Sequence, residues 1–161
     1  MAKIGKIFAF LIIISSFSAF QAAAQTEWPR ASLQNIYMEH LRAEGYLPSI
    51  DVDGDIQFKV SGYNYFIIID ENDLQFFQVY TGFSLGASSL ENVAIAVNFT
   101  NRRSKVAKIA VSSDGRVASI TAELLLNDPR DFKPVFARTL SLIRNAENNF
   151  LSYLRELDGV L

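Results

Sequence analysis

Six acidic side chains fall in two short runs: Asp51, Asp53 and Asp55, then Asp70, Glu71 and Asp73. Clustered carboxylate oxygens are the donor set that a hard divalent cation such as calcium takes. An EF-hand frame beginning at Asp51, however, lacks the required glycine and the closing glutamate. Asp and Gly are also what tight turns select, because an Asp side chain bonds the backbone two residues on and Gly reaches positive φ. Turn chemistry is the reading taken, with a calcium or small-ligand site at Asp53, Asp55, Asp70 and Asp73 as the alternative.

Other reactive residues are few. The chain has one His and no Cys, which excludes disulfides, thiolate metal sites, cysteine nucleophiles and a poly-histidine metal site within one chain. His40 lies on the apolar side of a helical pattern and reads as a core-edge residue. No Gly-x-Ser-x-Gly elbow or Ser-x-x-Lys motif accompanies the hydroxyls, and no carboxylate pair is singled out for glycoside hydrolysis. Measured against the roles an active site needs, the expectation is a non-enzyme with no cofactor. Arg102, Arg103, Lys105 and Lys108 form one basic run. It sits at an expected helix C-terminus, where the dipole favours cations, and an anionic partner or lipid headgroup is the other reading. Asn98 and Asn101, inside the same helix, are expected to bond nearby backbone.

Half of the 161 residues are apolar and 20% are charged, a globular composition for one domain. Residues 1–24 read as a secretory signal peptide: Lys3 and Lys6, an apolar stretch from Ile7 to Phe20, then Ala22-Ala23-Ala24 as the cleavage site. The stretch is shorter than the roughly 20 apolar residues of a spanning helix. The expectation is therefore an exported protein, periplasmic or secreted, with no stable membrane anchor after cleavage. Losing Lys3 and Lys6 leaves 13 basic against 17 acidic side chains, a formal charge of −4. That acidity argues against non-specific nucleic-acid binding.

Residues 25–161 read as a single domain. Helical spacing of Leu33, Ile36, Tyr37, His40 and Leu41 predicts a helix over 29–44. The period then switches to two, predicting strands at 55–60, 63–69 and 74–81, with room for a short extra strand at 49–52. Ser88-x-x-Glu91 reads as a capping box opening a helix to about Arg103. A hairpin of strands at 105–112 and 116–126 follows, and a long helix over 131–157 closes the chain. The fold class is α+β: an antiparallel sheet of about five strands with three helices, in the order α-β-β-β-α-β-β-α.

The meander is apolar on both faces. Tyr63, Tyr65, Ile67 and Ile69 oppose Phe66 and Ile68, while Leu74, Phe76 and Tyr80 oppose Phe77 and Val79. A sheet with one wet face should alternate apolar with polar. Either the three helices cover both faces, or one face is a patch used for dimerisation or for holding a partner segment. The partner-binding candidates are Tyr65, Phe66, Ile68, Phe76 and Phe77.

The stretch from Leu41 through Gly45-Tyr46, Asp51-Val52-Asp53-Gly54-Asp55 and Phe58-Lys59 resembles the opening of the YbjN-like family, which has a type III secretion chaperone-like fold. Gly62-Tyr63-Asn64-Tyr65, the Ile68–Asp73 turn, Phe76-Phe77, Ala96–Asn101, Lys105–Lys108 and Phe132–Arg138 continue the similarity. None of these motifs is catalytic. The resemblance implies the fold and, by way of its secretion chaperones, a non-catalytic homodimer that holds an extended client segment. Such chaperones act before export, whereas this chain carries an export signal. YbjN-like relatives are described loosely as regulators, and a protein-binding, chaperone-like or regulatory module, either a homodimer or a binder of another protein, is what the resemblance implies.

Overall fold

The computed structural model describes residues 28–160, so the signal peptide expected at 1–24 lies outside the described residues. The α+β class and the expected element order are both observed. Helix α1 (Arg30–Ala43) is followed by β1 (Ser49–Ile50), β2 (Ile56–Val60), β3 (Tyr63–Ile67) and β4 (Phe76–Ser84). Helix α2 (Leu90–Arg103), strands β5 (Ala107–Val111) and β6 (Val117–Leu125), and helix α3 (Phe132–Leu157) complete the domain. The sheet has six strands rather than about five, because the short extra strand β1 joins it. Its order is β1-β2-β3-β4-β6-β5, and every neighbouring pair is antiparallel.

Local chemistry explains the boundaries. Helix α1 ends in a Schellman motif: Tyr46 N–H donates to Leu41 O at 2.9 Å and Gly45 N–H to Arg42 O at 3.0 Å. Gly45 takes the positive φ (86°) that the motif requires. The expected capping box at Ser88 does not form, and the N-cap lies one residue later. Ser89 is the N-cap of α2 and accepts from Asn92 N–H at 3.1 Å, while the Ser88 hydroxyl donates to Asp158 Oδ2 at 2.6 Å. Strand β5 starts later than expected because Val106 sits at φ 68° in a γ-turn, with Ala107 N–H donating to Lys105 O at 2.7 Å. That conformation is rare and strained for a β-branched residue.

β3 also stops early, at Ile67. Ile68 N–H still donates to Gln78 O at 3.1 Å, but the next amide, Ile69, turns to Asp55 Oδ1 at 2.8 Å. β4 is shifted toward its C-terminal end because it pairs with β6 along nine residues, from Phe76 opposite Leu125 to Ser84 opposite Val117.

One face of the sheet holds the core. Ile56 and Phe58, Tyr65 and Ile67, Phe77 and Val79, Ile120 and Ala122, and Ala107 and Ile109 are all buried on it. Leu33, Tyr37 and Leu41 of α1, Val93 and Ala96 of α2, and Phe132, Phe136, Leu140, Ile143 and Phe150 of α3 share that core. Of the two readings of the meander, coverage of both faces is not what the fold does: the packed helices lie on one face. On the other, no position alternating from Phe76 to Ser84 or from Val117 to Leu125 is buried.

Candidate functional site

The open face is built from the alternate residues of five strands. Register places Gln57, Phe66, Tyr80, Thr121 and Lys108 in one row across the sheet. The row on one side carries Ile68, Gln78 and Glu123, with Asp55 at its β2 end; the row on the other carries Lys59 and Asn64. Phe66 and Tyr80 stack at the centre, ring centroids 4.8 Å apart and planes 14° off parallel. Such a cross-strand aromatic pair contributes about 1 kcal/mol beyond its buried area. Phe76 pairs with Leu125, which is 80% exposed.

The five sequence-selected residues do not form one surface. Phe66, Ile68 and Phe76 lie half-buried on the open face. Tyr65 and Phe77 are each 1% exposed and belong to the core, because the side-chain period of two sends their parity toward the helices. Tyr80, at the centre of the open face, was absent from that selection. Its phenol is pushed above its ordinary pKa by burial and by the nearby carboxylates of Asp55, Asp51 and Asp53.

The acidic runs serve their own turns. Asp51 Oδ1 accepts from Asp53 N–H (3.0 Å) and Asp55 N–H (2.9 Å). Asp70 Oδ1 accepts from Asn72 N–H (2.9 Å) and Asp73 N–H (3.3 Å), and Asp73 accepts from Gln75 N–H (3.2 Å). Asp55 is raised above the usual carboxylate range by burial, against the pull of the Ile69 amide. Arg30 reaches both turns, donating to Asp53 O at 3.2 Å and standing 3.6 Å from Glu71. Among the described residues, no three His, Asp or Glu side chains are grouped to hold a metal ion. His40 packs edge-on against Phe132 and Phe136, at 4.8 and 5.2 Å, and burial lowers its pKa.

Sequence reasoning passed over Glu147, which is only 6% exposed on α3. Burial raises its carboxyl, opposed by Arg144 and by the Tyr65 hydroxyl. The Tyr65 phenol is itself pushed up to about 12 by burial, with Glu147 adding to the shift. The signal was present: Glu147 interrupts an apolar stripe whose neighbouring positions are Ile143 and Phe150.

No family model matches the chain, and no curated protein matches it. Solved structures do. An uncharacterized protein from Methanothermobacter thermautotrophicus superposes with a TM-score of 0.57 at 15% identity, covering 77% of this chain and 97% of that one. YbjN from E. coli, whose proposed role is transcription regulation, superposes with a TM-score of 0.52 at 10% identity, covering 78% and 90%. The chain has a YbjN-like fold.

Proposed function

We propose that this chain is a non-enzymatic protein-binding domain whose open sheet face is the binding surface and whose occupant there is a second copy of itself. The observation that carries the reading is the unpartnered aromatic centre, Phe66 on Tyr80, with Ile68, Phe76 and Leu125 around it. Contiguous apolar surface of this kind marks interaction sites.

The charge pattern favours a second copy. The row with Asp55 and Glu123 lies on one side of the aromatic row, and Lys59 lies on the other. A twofold axis along the central row would bring the Asp55 end of one protomer against Lys59 of its partner. The β2 end of such a patch is self-complementary, as an isologous interface requires, while Lys108 at the outer strand would face its own copy; aligned sheets pack face to face at about 10 Å. The reading of residues 1–24 as an export signal supports a location outside the cytoplasm as part of the same proposal.

Light scattering over a concentration series tests the reading, with the parent and Phe66→Asp side by side. A dimer in the parent and a folded monomer in the variant is the expected result. A parent that stays monomeric at every concentration overturns self-association. A dimer that survives the substitution removes this face from the interface.

A further inference from the structure

A second feature lies away from the open sheet face, between α2 and α3. A cleft of about 550 Å³ is lined by Arg103, Ser104 and Lys105 from the end of α2, and by Arg138, Asn145 and Asn149 from α3. No Asp or Glu lines it, and none of its three cations forms an ion pair among the described residues. The polar side chains open to the cleft are therefore cations and amides, and an anion is the ligand such a donor-rich cleft would take.

The helix dipole explains only part of this. Arg103 stands in the last turn of α2, where a cation is favoured without any ligand. Arg138 does not, because it projects from the interior of the 26-residue α3.

A further observation fits a built site. The Arg103 guanidinium lies 3.6 Å from the centroid of the Phe99 ring, and Phe99 stacks on Tyr153 at 3.8 Å. At those distances Arg103 and Tyr153 must take opposite faces of the ring, so Arg103 is held in place before any ligand arrives.

We propose that this cleft binds a phosphate group, Arg103, Lys105 and Arg138 supplying charge and Asn145 and Asn149 supplying hydrogen bonds. The phosphate is either free in solution or the headgroup of an anionic lipid; the recognising chemistry is the same.

The test is an NMR titration of the purified chain with inorganic phosphate, repeated on Arg138→Gln and Lys105→Gln, with Lys133→Gln as a control outside the cleft. Saturable shifts at Ser104 and Asn145 are expected, with affinity falling about tenfold in either cleft variant, the scale of one charge-assisted bond. Lys133→Gln should titrate like the parent. Shifts that fail to saturate, or cleft variants that bind as well as the parent, overturn the proposal. Sedimentation with phosphatidylglycerol vesicles, against phosphatidylcholine alone, separates the sources. Vesicle binding lost in Arg138→Gln identifies a headgroup, and phosphate binding without vesicle binding identifies a soluble ligand. Vesicle binding that both cleft variants retain counts against the cleft.

Discussion

The side-chain amide of Asn101 pairs with both backbone groups of Ile109. Asn101 Nδ2 donates to Ile109 O at 3.1 Å, and Ile109 N–H donates to Asn101 Oδ1 at 2.8 Å. β5 is the outer strand of the sheet, so one carboxamide from α2 stands where a neighbouring strand would. Asn101→Ala leaves that N–H and C=O unpaired beside a residue that is nearly buried. It should lower stability by about 2 kcal/mol in urea unfolding. Asn101→Asp keeps the acceptor for Ile109 N–H but sets a carboxylate oxygen against Ile109 O at the negative end of α2, and should lose at least as much. A change within error for both would mean that water replaces the pair without penalty.

The two faces of the sheet should respond differently to truncation. Phe77→Ala removes a fully buried ring and should cost about 3–5 kcal/mol. Phe66→Ala, on the open face, should cost much less in a monomer, because that ring is only half-buried. Equal losses in urea unfolding would mean the open face is covered after all.

Glu147 makes stability depend on pH. Its carboxyl is raised in the folded protein, chiefly by burial, so the native state holds the proton more tightly than the unfolded chain does. Its unfavourable contribution is absent below the ordinary glutamate pKa and fully present above the raised folded value. Stability should therefore fall as pH rises through that window. Glu147→Gln should shrink the fall, because the amide does not ionise. The check is the melting temperature between pH 4 and 7; a variant whose pH dependence matches the parent's would rule out this origin.

Val106 at φ 68° is strained. Val106→Gly should relieve about 1–2 kcal/mol of left-handed strain, offset by about 0.5–1 kcal/mol of added chain entropy. A small rise in the urea midpoint is expected. A clear drop would show that the 38%-exposed valine side chain stabilises the fold more than its backbone strains it.

Periodicity made most of the fold legible. Ile56, Phe58 and Val60 alternate cleanly with polar neighbours, and the observed strand matches them. Assignment of faces was harder, because β3 and β4 are apolar at both parities. β6 held the answer: Ala118, Ile120 and Ala122 are buried while Ser119, Thr121 and Glu123 are not, and its register with β4 carries that assignment across. The one-residue slip at the α2 cap reflects Ser88 and Ser89 being alike in local sequence. Their difference comes from Asp158, seventy residues away. Arg138 could not be joined to the basic run from sequence, because only tertiary packing brings α3 against the end of α2.

The two borders of the sheet set the kind of assembly open to this chain. At one border Asn101 occupies the Ile109 backbone groups. At the other, β1 is two residues long, Pro48 before it has no N–H to offer, and Lys59 places a charge on the adjoining strand. Strands of further molecules have little purchase at either border, so sideways growth into fibrils is disfavoured. Pairing through the broad face has the opposite character: once two copies close on each other, no matching surface remains. Association through this sheet would therefore stop at two.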